Sequence, residues 1–121
     1  MRNSSVTLPL VSEGRCSVRL TRRYADAPAE VWKALTEPRS LARWLRPGFE
    51  LNPSEVEPGR VLELDWRPPG EVPSLVRIKL DPDGEGTVLV LDHSRIEALS
   101  GMAAIRFWTG TLSRLPLRSR S

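Results

Sequence analysis

Apolar and polar residues alternate with a period of two along "CSVRLTRRY" (16–24), which sets Val18, Leu20 and Tyr24 on one side and Arg19, Thr21 and Arg23 on the other. That alternation, with a β-branched member, argues a half-exposed strand. The period then lengthens. In "DAPAEVWKALTEP", Val31, Ala34 and Leu35 fall on one helical face, with Pro28 at the first helical position and Glu30 in the first turn, near the positive end of the dipole. Pro38 ends this helix and can open another, because a proline in a first turn gives up no hydrogen bond. "PRSLARWL" then puts Leu41, Trp44 and Leu45 on one face ahead of a Pro47-Gly48 stop.

From position 49 the chain reads as strand. "FELNPSEVE" is interrupted by Pro53 and admits only an irregular or edge strand. After the Pro58-Gly59 turn, "RVLELDWR" sets Leu62, Leu64 and Trp66 against Glu63, Asp65 and Arg67. "RPPGEVPS" is a loop by its proline and glycine content. "LVRIKL" gives Val76, Ile78 and Leu80 one face, "DPDGEG" turns the chain, and "TVLVLDH" brings Leu89, Leu91 and His93 to one face. Three strands in a meander, each with an apolar face, need a cover. The segment from Glu97 to Leu115 supplies one: Met102, Ile105, Trp108, Leu112 and Leu115 recur at spacings of three and four, the mark of a long amphipathic helix. Gly110 weakens it by about 1 kcal/mol relative to alanine, and Pro116 ends it.

A length of 121 residues suits one domain, expected over residues 16–116, with a flexible leader at 1–15 and a frayed basic tail at 117–121. No apolar run approaches the roughly 18 residues of a membrane span. "MRNSSVTLPLVSEGR" has only a broken apolar stretch and no small-residue cleavage site, so it is a poor signal peptide. One cysteine and one histidine exclude an intrachain disulfide and a Cys/His zinc site, and a reducing, cytoplasmic setting fits best. No metal-ligand cluster or cofactor motif stands out; "GEG" at 84–86 lies between strands and is a hairpin turn, not a phosphate loop.

Charge is uneven. Residues 1–24 and 95–121 each carry five arginines and one acidic residue, while residues 25–94 carry eight basic and thirteen acidic residues. A nucleic-acid binder would gather its cations on one face, whereas these basic ends are placed to lie against an acidic middle. The two helices at 28–45 have a helix-turn-helix-like shape, but the second offers only Arg39, Ser40 and Arg43 for contacts and has no third helix around it.

The order of elements, with "APAEVWKALTEPRSLARWL" (27–45), "EVEPGRVLELDW" (55–66), "DGEGTVLVLDHS" (83–94) and "WTGTLSRL" (108–115), resembles the START-like (SRPBCC) superfamily. The branch it looks most like is homologous to the C-terminal domain of the activator of Hsp90 ATPase. The resemblance implies an α+β helix-grip fold: a curved antiparallel sheet around a long C-terminal helix, with two short helices after the first strand. It also implies an apolar cavity between sheet and helix that binds a hydrophobic small molecule or lipid, without a cofactor; some relatives catalyse cyclisation or dehydration there. By position, the cavity-facing residues would be Leu62, Leu64, Trp66, Val76, Ile78, Leu80, Leu89, Leu91 and His93 on the sheet, with Met102, Ile105 and Trp108 on the helix.

Two departures from the family pattern matter. Only "RPGFELNPS" stands where relatives have a further hairpin, too short for two strands of ordinary length. Either the sheet is narrower, or a partner, such as a second copy of the chain, covers its edge. Phe107 stands where relatives often have glycine and is bulky enough to fill much of a cavity.

His93 is the one candidate general base, yet "DHS" at 92–94 cannot be a relay on its own, because neighbouring strand residues point to opposite faces. The alternative is a histidine held structurally by hydrogen bonds at a strand end. Trp32, Trp44, Trp66 and Trp108 offer stacking surfaces, with core packing the plainer reading. Three functions follow as expectations: a non-enzymatic binding module with an apolar pocket, a protein-interaction domain using a sheet edge, and a small hydrolase or cyclase using His93.

Overall fold

The computed structural model describes residues 4–12, 15–39, 50–67, 73–97 and 100–119. The strands are β1 (Ser4–Ser12), β2 (Arg15–Tyr24), β3 (Glu50–Glu57), β4 (Val61–Arg67), β5 (Ser74–Asp83) and β6 (Gly86–Glu97). Two helices are described in full, α1 (Pro28–Thr36) and α2 (Gly101–Ser113). The strands form one antiparallel sheet in the order β1-β2-β6-β5-β4-β3. Its curved inner face packs on α2, chiefly through β2 and β6, while α1 leans on β5 and β6.

Local sequence accounts for most of these elements. β2 buries Cys16, Val18, Leu20, Arg22 and Tyr24 on one side, as period two requires. α1 begins at Pro28 and buries Val31, Ala34 and Leu35. The residues before the two prolines, Ala27 and Glu37, are both extended (ψ 155° and 138°), the conformation imposed by the clash of the proline ring with a helical predecessor. Pro38 and Arg39 are helical again. The rest of the expected second helix, with Leu41, Trp44 and Leu45, lies outside the described residues.

Hairpin chemistry sets the meander. Gly84 takes φ 61° in the β5–β6 connection, the left-handed angle that a type II′ turn needs at its first central residue. β3 is an edge strand, as Pro53 demands, and a single strand fills the stretch where a hairpin was missing.

Four expectations need correction. Residues 4–12 are not a loose leader: they form β1, the other sheet edge, paired along β2. Pro9 falls between Thr7 and Leu10, where the register shifts, so it sits in a gap of the ladder and not against it. The tail at 117–119 is not frayed either. Ala25 donates to the Arg118 carbonyl at 2.7 Å, the Arg118 backbone N–H donates to Asp26 Oδ1 at 2.6 Å, Ser119 bridges to Tyr24, and Leu117 packs on the core.

The third correction concerns the boundary of β6. It runs on to Glu97, and α2 starts only at Gly101. Val18 pairs with His93 but Cys16 pairs with Ile96, so Ser17 faces two residues of β6, Ser94 and Arg95. This bulge, with Arg95 at φ 60°, resets the alternation so that His93 and Ile96 are both buried.

The fourth is Met102, expected in the cavity and found 58% exposed. Steps of three residues fall about 60° short of a full helical turn, so the two steps from Trp108 back to Met102 carry it about 120° around the helix. The buried stripe of α2 instead runs through Gly101, Trp108, Thr111 and Leu112, with Leu115 just beyond.

Candidate ligand-binding site

Alternation on β4, β5 and β6 turns Leu62, Leu64, Trp66, Val76, Ile78, Leu80, Leu89, Leu91 and His93 inward, and all are buried. Trp108 meets them from α2 and is buried too, while Ile105 and Phe107 are half-buried against the same core. The expected set is thus brought together except for Met102.

At its centre are four rings. Trp66 lies edge-on to Phe107 (centroids 5.0 Å apart) and to His93 (5.8 Å), and is tilted against Trp108 at 5.4 Å. Phe107 in turn stands edge-on to Trp108 at 5.0 Å. These are the edge-to-face geometries that aromatic quadrupoles favour. Phe107 therefore occupies space beside Trp66, and its partial exposure puts it at the rim of the cluster.

The polar part of the cluster is a short chain of side chains. Trp108 Nε1 donates to His93 Nδ1 at 2.9 Å, and Ser74 Oγ lies 2.7 Å from His93 Nε2. Indole nitrogen is only a donor, so His93 Nδ1 must be the acceptor. The neutral ring then carries its proton on Nε2 and donates it to Ser74 Oγ. A His93 acting as base toward Ser74 would need the lone pair on Nε2, the opposite arrangement. Burial pushes the His93 pKa down to about 4, which keeps the ring neutral. The neighbours in "DHS" lie elsewhere: Asp92 pairs with Arg19 at 2.7 Å, and Ser94 Oγ donates to the Leu75 carbonyl at 3.5 Å.

Two inward polar residues lie outside the expected set. Ser74 belongs by sequence to the proline-rich stretch "RPPGEVPS", although period two counted back from Val76 puts it on the inner face, where it opens β5. Arg22 shares the parity of Leu20 and Tyr24, and its Nη2 donates to the Thr109 carbonyl at 3.2 Å and to Ser113 Oγ at 3.1 Å. It brings a cation to the C-terminal half of α2, the negative end of that helix, while its buried Nε has no hydrogen-bond partner among the described residues. Beside it, Tyr24 donates to the Leu112 carbonyl at 3.2 Å, and burial pushes its pKa up to about 12.

The opposite face of the sheet carries a charged groove whose cations and acids pair with one another: Arg19 with Asp92, Arg60 with Asp81 and Glu57, Lys79 with Asp81, and Arg77 with Glu63. Arg19 from the basic end meets Asp92 from the acidic middle, as the charge distribution suggested. Among the described residues no group of His, Cys, Asp or Glu is arranged to hold a metal ion, and no helix is long and apolar enough to cross a membrane.

A curved antiparallel sheet closed on a C-terminal helix is a helix-grip protein. No protein-family profile and no curated protein sequence matches the chain. Solved structures do. CalU16 from Micromonospora echinospora is 22% identical with a TM-score of 0.79, covering 93% of this chain and 83% of that one. DynU16, a protein in the dynemicin biosynthetic locus, is 24% identical with a TM-score of 0.67, and the match covers 81% of this chain and 46% of that one. An Hsp90 activator from Plasmodium falciparum is 16% identical with a TM-score of 0.67, covering 86% and 99%. At these identities the likeness is one of fold, and the chain has the START-like, or SRPBCC, fold.

Proposed function

We propose that this protein is a non-enzymatic binding module that takes an apolar, aromatic small molecule between the inner face of the sheet and α2, entering beside Phe107. The observation that carries the reading is the aromatic cluster of Trp66, Phe107 and Trp108, half-buried at Phe107 and backed by the polar chain of His93 and Ser74. A mostly apolar wall with a few fixed polar groups is the usual make-up of a small-molecule site. The fold is shared with a protein of a biosynthetic locus, which agrees with a small-molecule ligand.

Catalysis by His93 has less support. Both of its ring nitrogens are engaged, and the tautomer that Trp108 selects cannot take a proton from Ser74.

An environment-sensitive hydrophobic dye is expected to bind the folded protein and to be displaced by apolar aromatic compounds. Phe107→Ala, which vacates the space beside Trp66, is expected to tighten dye binding several-fold, while Met102→Ala on the exposed flank leaves it unchanged. Absence of dye binding to both wild type and Phe107→Ala would overturn the proposal.

A further inference from the structure

The polar chain in the aromatic cluster has a fixed direction, and that direction constrains the ligand. Trp108 can only donate, so His93 Nδ1 accepts and His93 Nε2–H donates to Ser74 Oγ. The Ser74 oxygen is thereby used as an acceptor, and its own O–H remains to be given away. Ser74 is buried (8% exposed), and its hydroxyl makes no other side-chain hydrogen bond among the described residues. Its cross-strand partner is Trp66, whose ring forms one side of the aromatic cluster. A buried hydroxyl proton without an acceptor is costly, and an acceptor atom brought by a ligand would remove that cost.

We infer that Ser74 is the polarity-reading residue of the site and that the ligand is an apolar, flat molecule presenting a hydrogen-bond acceptor, such as a ketone or quinone oxygen, to the Ser74 hydroxyl. This rests on the binding-module reading above. The relay Trp108 → His93 → Ser74 → ligand passes donor character outward and moves no proton from one residue to another. Each bond polarises the next, which strengthens the last donor in a water-poor setting. A ligand that offers only a donor at that point would face a second donor.

The test compares 1-indanone with indane, two probes of similar shape that differ in one carbonyl oxygen, each titrated in competition with a bound hydrophobic dye. The ratio of indanone to indane affinity is expected to fall about five- to tenfold in Ser74→Ala, the usual worth of one neutral hydrogen bond, and to be kept in Ser74→Thr. An unchanged ratio in Ser74→Ala, with indane still bound, overturns the inference and leaves the binding module standing. Binding of neither probe to wild type overturns the binding reading itself. Independently of any variant, nitrogen-15 NMR of the single histidine is expected to place the proton on Nε2. A proton on Nδ1 overturns the inference.

Discussion

His93 is the residue whose chemistry differs most from what its type suggests. The residue is 3% exposed and its ring is held from both sides, so a second proton would set two donors, its own Nδ1–H and the Trp108 indole, against each other. Burial lowers its pKa from 6.5 to about 4. Between those values the unfolded chain binds more protons than the folded one, so stability rises with pH through this window. The contribution is fully present above about pH 6.5 and is lost as pH falls toward 4, a change on the order of 3 kcal/mol. Urea unfolding from pH 7 down to 5.5 should therefore reveal a loss of stability that disappears in His93→Asn, since no other histidine titrates there. An equal slope in both proteins would show that the ring is not held neutral.

Among the elements, β6 carries the decisive irregularity. The bulge at Ser94 and Arg95 lets one strand present His93 to the aromatic cluster and Ile96 to the core, where a regular strand would turn one of them outward. Its cost falls on Arg95, a non-glycine residue at φ 60°. A left-handed conformation costs an L-residue roughly 1–2 kcal/mol, part of which glycine recovers, less its greater freedom when unfolded. Arg95→Gly is thus expected to stabilise by up to about 1 kcal/mol, read as a higher urea midpoint, because the contact from Arg15 is to the Arg95 backbone carbonyl and survives. Destabilisation would mean that the arginine side chain contributes more than its strained backbone costs. Each sheet edge carries a proline within its strand, Pro9 in β1 and Pro53 in β3, and a proline has no N–H to offer a further strand, which makes either edge a poorer template.

For the whole molecule, the pairing of β2 with β6 dominates. Leu20 lies opposite Leu91, so the centre of the sheet joins positions separated by more than half of the 121-residue chain. The C-terminal segment then returns to β2 through Arg118 and Ser119. Such non-local contacts delay their reward until long loops have closed. Refolding after denaturant dilution should accordingly take milliseconds to seconds in a stopped-flow measurement, and microsecond folding would contradict this topology. The exposed ion pairs on the outer face add little to its stability.

The amino-acid sequence by itself determined the elements whose signal is local. Period two fixed the inward faces of β2, β4, β5 and β6, prolines set the ends of α1, and the C-terminal apolar stripe announced the gripped helix. It left three things undecided, each because the deciding partner is far away in the chain. Residues 4–12 become a strand only because β2 offers an edge, and residues 117–119 are pinned only because Asp26 and Ala25 are there to receive them. Ser74 acquires meaning only when folding brings it within hydrogen-bonding reach of His93, and His93 within reach of Trp108. Alternation can place a side chain on a face, but it cannot say which donor it will meet there. The tertiary structure settled that, and with it the tautomer of His93 and the position of Phe107 at the rim of the aromatic cluster.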